Sequence, residues 1–369
     1  MKVLYDHQAF TGAVYGGVAR YFYELMRQYS SRTDISFDLS LLLSNNDYLA
    51  AREFSKHQTF GPLAGHYNAN RVASALNRIG STGRLWAGQF DVFHPTYYHP
   101  YFLQILAQKP FVLTFHDATS ERFGKLYPEV GEHLTDIKRP LLQRANRIIS
   151  VSECSKQELL RFFPDVDPGK IRVIPLGSSF SERQYGPLPA PVAFPYILFV
   201  GKRPLYKNFP AFFRAIQPVL RRQGLHLVCA GGGRFSRNEQ ALIQASGLAT
   251  QVHHQPITDA TLPAFYQNAR AFVFPSLNEG FGLPVLEAFS CGCPVVLSNR
   301  SSLPEVAADA AVYFDPDNAD AMADATERVA TDDALRADLV ARGTIRLQQF
   351  SCKKMADQTF DVYQELQPK

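Results

Sequence analysis

Twelve short apolar runs, separated by helical patterns and loops, constrain the fold of this 369-residue chain more than any other feature. In the first half they fall at Val3–Tyr5, Ser36–Leu43, Val92–His94, Phe111–Phe115, Ile148–Val151 and Arg172–Ile174. In the second half they fall at Tyr196–Val200, Leu225–Ala230, Val252–Gln255, Ala271–Phe274, Pro294–Leu297 and Ala311–Phe314. Amphipathic segments such as Ala19–Tyr29, Ser155–Phe163, Phe209–Gln223 and Ala319–Ala330 lie between them. Strands alternating with helices imply crossover units and parallel sheets. Twelve strands exceed one comfortable sheet, so the chain reads as α/β with two doubly wound domains. Pro187, Pro189, Pro191 and Pro195 mark a stretch of little periodicity, as a linker would. The expected organisation is a first domain over 1–180, a linker over 181–195 and a second domain over 196–351. A last helical pattern, 352–369, follows. Ligands of such sheets bind at the C-terminal strand ends, which places the expected site in the cleft between domains.

The most informative strand end is Pro275–Glu287, which follows Ala271–Phe274. Gly280 and Gly282 sit in a short turn, and Pro284 takes a first helical position, where a missing N–H costs nothing. Strand, glycine turn and helix start aim backbone N–H groups at one spot, which suits an anion. Glu279 lies in the loop and Glu287 in the first helical turn, so both can face one crevice. Carboxylates there accept hydrogen bonds from hydroxyl groups, as an acidic residue does on a ribose. The local reading is a pocket for a ligand with both phosphate and hydroxyls, such as a nucleotide sugar.

Other strand ends carry further candidates. Gly16-Gly17 opens the first amphipathic helix with Arg20 one turn along. It is either a phosphate-binding turn or an ordinary glycine-rich loop, and it lacks the GxGxxG spacing of dinucleotide binders. Lys202, Arg203 and Lys207 follow Tyr196–Val200. Arginine can grip a diphosphate bidentately and lysine acts as a point charge, while a solvated basic loop is the alternative. His116-Asp117 follows Phe111–Phe115, where a histidine can hydrogen-bond a sugar hydroxyl or a developing charge, or be merely structural. His94 is placed similarly. Asp165/Asp167 and Asp315/Asp317 adjoin prolines and read as turn and cap residues rather than metal ligands.

A net charge of +4 is too small to argue for nucleic acid. Residues 1–180 hold 20 Lys/Arg against 16 Asp/Glu, and 181–369 hold 18 against 18, so the excess lies in the first half. No acid occurs from Phe54 to Phe90, a stretch containing Lys56, Arg71, Arg78 and Arg84. Within it Val72, Leu76 and Ile79 share one helical face, with Arg71 and Arg78 beside it. That is either a solvated helix packed on the first domain or a basic surface near an anionic lipid carrier or membrane. The five cysteines are odd in number and scattered, which reads as reduced thiols in a cytosolic protein. Met1–Tyr5 enters a strand with no signal-peptide pattern, and no apolar run approaches the ~20 residues of a membrane span. Any membrane contact is therefore expected to be peripheral.

The run Glu279-Gly-Phe-Gly-Leu-Pro-Val-Leu-Glu287, with Gly16-Gly17, His116-Asp117 and the Arg203/Lys207 loop, resembles the retaining GT-B glycosyltransferase family 4. The match spans nearly the whole chain in the right order. Gly17–Tyr21, Tyr206–Asn208 and Ser298–Val306 look like its bacterial mannosyltransferase branch, which builds O-antigens and other polysaccharides. The resemblance implies two Rossmann-like domains facing across a cleft, with the last helix crossing back to the first. It implies a donor site in which Glu287 binds ribose hydroxyls and Glu279 faces the sugar, near Gly280 and the amides of Phe281, Gly282 and Leu283. Arg203 and Lys207, with Lys202 adjacent, would hold the diphosphate; Gly16 and Gly17 would lie under its distal phosphate. His116 would contact the sugar, and Pro256 and Ile257 would border the base. The implied catalytic set is His116, Glu279, Arg203 and Lys207. The implied partners are a nucleotide-sugar donor, best GDP-mannose, and a saccharide or undecaprenyl-diphosphate-linked acceptor at the inner face of the cytoplasmic membrane. No metal or other cofactor is expected. A UDP-sugar transferase, a nucleotide-sugar 2-epimerase and an inactive binding module of the same fold are the alternatives.

Overall fold

The computed structural model describes residues 1–12, 14–59, 67–106, 108–127, 131, 134–182 and 185–367. Ala13 of the first glycine turn, 60–66 of the acid-free stretch, 183–184 of the expected linker and the last two residues lie outside them. Each of the twelve apolar runs forms a strand: β1 Lys2–Tyr5, β2 Ser36–Leu39, β3 Val92–His94, β4 Val112–Phe115, β5 Arg147–Ser150 and β6 Ile171–Val173, then β7 Tyr196–Val200, β8 His226–Ala230, β9 Val252–Gln255, β10 Ala271–Phe274, β11 Val295–Ser298 and β12 Ala311–Phe314. The helices are α1 Gln8–Thr11, α2 Gly17–Tyr29, α3 Tyr67–Ala87, α4 Thr119–Phe123, α5 Leu134–Arg144, α6 Glu153–Phe162 and α7 Phe209–Gln223, then α8 Arg237–Ala245, α9 Leu262–Gln267, α10 Leu283–Ser290, α11 Leu303–Ala307, α12 Ala319–Thr331, α13 Asp333–Leu347 and α14 Cys352–Gln364.

The chain divides into two compact units. The first comprises Met1–Glu121, Gly131–Leu176 and Cys352–Lys369, and the second Arg122–Val130 and Gly177–Ser351. In the first, two parallel three-stranded sheets run β2-β1-β3 and β4-β5-β6. A single bridge, Phe93 to Phe111, joins them. Chain order reverses between β1 and β3. Aromatic side chains from both sheets and their helices fill the core, among them Phe93, Phe102, Phe115 and Phe163.

In the second unit one parallel sheet runs β12-β11-β10-β7-β8-β9, and chain order reverses between β7 and β10. Its inner strands β7, β10 and β11 are buried along their length and so read as near-continuous apolar runs, whereas the edge strand β9 is only half-buried beyond Val252. α7 shows why the flanking helices form. Phe209, Phe212, Phe213, Ile216, Val219 and Leu220 recur at helical spacing and are buried. Pro210 occupies the first turn, and Gly224, at φ 60°, stops the helix in the left-handed conformation. Residues 185–195 run along this unit rather than free of it. Leu188 N–H donates to Gln267 Oε1 at 2.9 Å, and Phe194 stacks on His226 and His253.

One strand differs from expectation. Ser36–Leu43 is a strand only to Leu39. Beyond it the N–H groups of Leu42 and Leu43 donate to Asn77 Oδ1, each at 2.8 Å, so a side chain replaces the ladder. Helix α3 packs on its unit through Ala73, Asn77, Ser81 and Leu85, whereas Val72, Leu76 and Ile79 face outward. The last helix, α14, belongs to the first unit: Tyr363 Oη lies 3.0 Å from Tyr5 Oη and 2.6 Å from His94 Nδ1. No helix among the described residues is long and apolar enough to cross a membrane.

Candidate functional site

Chain order reverses between β7 and β10, and the C-terminal strand ends at such a reversal are where open α/β sheets bind ligands. Beyond β7, Gly201 takes φ 98° and the chain makes one 3-10 turn over Leu205–Lys207. Asn208, at φ 60°, then redirects it into α7. Asparagine tolerates that left-handed conformation better than most residues. Beyond β10, Leu277 N–H donates to Tyr206 O at 2.8 Å, which ties the two loops together.

This tie brings Lys207 to Glu279. Nζ lies 2.5 Å from Oε1, with the side chains 16% and 12% exposed. Nζ also lies 4.6 Å from the Phe274 ring centroid. The Glu279 backbone is held as well: its N–H donates to Ser301 Oγ at 2.8 Å, and Ser302 Oγ donates to Glu279 O and Phe281 O, each at 2.9 Å. Gly282 sits at φ 103° with Leu303 packed against it, and α10 starts directly after. The helix start therefore presents the amide ends of a dipole beside the ion pair. Glu287, one turn into α10, is buried and accepts from Tyr266 Oη at 3.1 Å. Burial, then the Glu287 charge, pushes the Tyr266 phenol far above its ordinary range, so it stays a donor.

Arg203 is placed differently from its neighbours. Its Nε bonds Glu239 Oε1 at 2.7 Å, and its other nitrogens donate to the carbonyls of Gly231, Gly233 and Arg234. The guanidinium is thus engaged before any ligand arrives, and it clamps the loop after β8. That loop approaches β7 closely: a Cβ on Gly232 would lie 2.1 Å from Gly201 O. Ile257 packs over Gly231, so Pro256 and Ile257 border the same loop. Lys202 is exposed and has no ion-pair partner among the described residues.

In the first unit His116 follows β4 and is half-buried. Its backbone N–H donates to Tyr98 Oη at 2.9 Å, and its ring packs edge-on against Tyr21, one turn past Gly17. Burial, relieved by Asp117 and reinforced by Lys138, pushes the imidazole down to about 4, so it is neutral at pH 7. Gly16 is extended at φ 168°, with open space where a Cβ would stand. Arg20 turns away from that space to Tyr48, with Nε 3.1 Å from its Oη. His94 is a core residue: both ring nitrogens are bonded, to Tyr363 and Thr114. The paired aspartates act locally. Asp167 caps the 3-10 turn at Pro168, Asp165 pairs with Arg139, and Asp315 and Asp317 share Arg300.

Ser301, Ser302, Tyr266 and Tyr98 were not legible as site residues. Each acts on a residue far away in sequence, and a lone hydroxyl carries no spacing signal.

Residues 182–346 match the family model of glycosyl transferases group 1, and residues 15–182 match that of glycosyltransferase family 4. The chain is 31% identical over 293 residues to O-antigen chain mannosyltransferase B of Escherichia coli, covering 74% of each chain. Among solved structures it is similar to the sucrose-phosphate synthase of Thermosynechococcus elongatus, with a TM-score of 0.79 at 20% identity over 99% of this chain and 98% of that one. It is also similar to HepE of Anabaena, solved with UDP and glucose, with a TM-score of 0.76 at 17% identity over 99% of this chain and 100% of that one. These structural likenesses show the GT-B fold, with parallel sheets in two Rossmann-like domains.

Proposed function

The chain belongs to glycosyltransferase family 4, and on that footing we propose that it is a retaining, metal-independent mannosyltransferase using GDP-mannose. The observation that carries the reading is the Lys207–Glu279 pair at the β7/β10 reversal, set beside the start of α10. Lys207 and the α10 amides meet the charge that grows on the departing diphosphate, and Lys202 adds a second cation nearby. Fixed positive groups of this kind stabilise the leaving group. Arg203 supports the loop from behind. Glu287, oriented by Tyr266, takes the ribose hydroxyls, Glu279 faces the sugar, and Pro256 and Ile257 border the base. For the first unit we propose that Gly16 and Gly17 serve the distal phosphate and that His116 serves a sugar hydroxyl.

In the proposed step the acceptor oxygen bonds to the anomeric carbon on the face the diphosphate leaves. The C–O bond to phosphate breaks with its electron pair going to the diphosphate, which takes up the acceptor's proton. The products are the glycoside, with retained configuration, and GDP. The acceptor is a saccharide or undecaprenyl-diphosphate-linked saccharide, handled on the cytoplasmic side of an anionic membrane. Mannose is favoured by the relationship to the E. coli mannosyltransferase. A UDP-sugar is the second reading, because the similar HepE structure was solved with UDP and glucose.

Calorimetric titration with GDP and with UDP tests the donor. Preference for GDP, followed by release of mannose from GDP-mannose in excess chelator, is expected. Preference for UDP removes the mannose assignment, loss of turnover in chelator removes metal independence, and an epimerised donor without transfer removes the transferase reading.

A further inference from the structure

Helix α3 is folded with its apolar stripe outward. Val72, Leu76, Ile79 and Trp86 are 59%, 43%, 68% and 75% exposed. With Gly83 they fall within roughly an 80° arc at 100° per residue. The helix cannot roll to hide this stripe, because its opposite face is fixed by polar bonds. Asn77 Nδ2 donates to Thr11 Oγ1 and Leu43 O, while Oδ1 accepts from Leu42 and Leu43 N–H, all at 2.8 Å. Ser81 Oγ lies 2.9 Å from His7 Nδ1 and donates to Ser40 O. Rolling the helix would strand these buried groups, each at a cost comparable to what burial of one apolar side chain returns. Leu42, half exposed, lies against Gly80 and widens the patch.

The flanks of the stripe are cationic. Arg71 and Arg78 lie on one side and Arg84 on the other, and no acid occurs between Phe54 and Phe90. Arg78 Nη1 lies 3.1 Å from His99 Nε2, and Arg84 lies 3.8 Å from Asp38. A patch that is apolar along its middle, basic along both edges and ends in an exposed tryptophan matches an anionic lipid surface. Asp38, the acid beside Arg84, is also paired with Lys2, so that edge stays net cationic.

We infer that the outward face of α3 docks this protein on anionic bilayers, with Val72, Leu76, Ile79 and Trp86 in the interfacial region and the arginines among the lipid headgroups. The inference rests on the proposed membrane setting of the acceptor but not on the transfer reaction. Trp86 is the chain's one tryptophan, so native fluorescence reports on the patch directly.

The test mixes the full-length protein with vesicles of phosphatidylglycerol and phosphatidylethanolamine, and separately with pure phosphatidylcholine. On the anionic vesicles Trp86 emission shifts to the blue, brominated acyl chains quench it and the protein co-sediments. Partitioning onto phosphatidylcholine is at least tenfold weaker. Ile79→Glu, at an exposed position, keeps the circular dichroism spectrum and loses at least tenfold of the anionic partitioning. Arg84→Gln loses about fivefold. Unchanged emission with both vesicles overturns the inference, as does an I79E variant that partitions like the natural protein. A dimer that I79E dissociates, with no vesicle binding, overturns it in favour of a second copy of the chain. Vesicle binding without transfer to any lipid-linked saccharide upholds docking and removes the acceptor reading instead.

Discussion

Lys207→Ala is the perturbation that most directly tests whether the pair at the β7/β10 reversal serves the diphosphate. One N–H of Nζ is taken by Glu279, and the other two have no hydrogen-bond partner among the described residues. The ammonium sits over Phe274 and beside Tyr206, 4.6 and 5.4 Å from their ring centroids, largely withdrawn from water. A hydrogen bond to a charged group contributes roughly 1.5–3 kcal/mol. Removing Lys207 should therefore weaken GDP binding by about 10- to 150-fold. Glu279→Gln acts in the opposite sense, because Lys207 no longer has to leave a carboxylate to reach the phosphate. GDP should bind roughly fivefold tighter, about 1 kcal/mol, while turnover of the sugar donor falls. The tightening depends on the ammonium, so it should vanish when E279Q is made in the K207A background. Calorimetry on the four proteins at one ionic strength closes the cycle. The expected coupling of about 1 kcal/mol exceeds the ~0.5 kcal/mol within which independent sites add. K207A binding GDP within twofold of the natural protein would refute the reasoning. So would E279Q tightening GDP equally in both backgrounds, since that is repulsion and not competition.

Arg203→Ala should lower the urea midpoint, through a loss of roughly 2–4 kcal/mol, because it strands Glu239 and several loop carbonyls. Unchanged stability with lost nucleotide affinity would return Arg203 to the diphosphate. Gly232→Ala should lower both the melting temperature and GDP affinity, since its Cβ would meet Gly201 O at 2.1 Å at φ 72°; lowered stability with full affinity would separate that loop from the ligand. His94 and His116 are held near 3 and 4, below the 6.5 of an unfolded histidine. The unfolded chain thus binds more protons between pH 6.5 and 4, so stability is full above pH 6.5 and lost as pH falls. The two sites contribute a slope of about 2.7 kcal/mol per pH unit in that window. His94→Gln should halve it in denaturant melts at pH 6.5 to 5, and a flat profile in the natural protein would contradict the neutral assignments.

The strands were legible because burial on both faces leaves a run of apolar residues with no polar interruption, as in Tyr196–Val200. The α3 face was not. Its packed side carries Asn77 and Ser81, so the apolar periodicity of Val72, Leu76 and Ile79 marks the side that faces out. Position at a strand end identified the Glu279 loop and the cations after β7 together. It could not separate Lys207 from Arg203, because Glu239, the residue that claims Arg203, lies 36 positions on. The end of strand Ser36–Leu43 was missed for the same reason: its backbone partner is a side chain on a helix 34 to 35 positions away.

The last helix has a consequence for the order in which the molecule is made. Tyr5 and Tyr363 share a hydrogen bond across 358 positions, and Tyr29 Oη donates to Ala356 O. Met355, Phe360 and Tyr363 are buried there as well. The unit that leaves the ribosome first therefore waits for α14, which is made after the whole of the second unit. Domains ordinarily complete from the N-terminus during synthesis. Here Gly177–Ser351 has all its chain available before the first unit does. Until α14 arrives, a nascent first unit carries an open apolar seam around Tyr5, Phe22 and Tyr29, and a chain cut before α14 leaves that seam open for good.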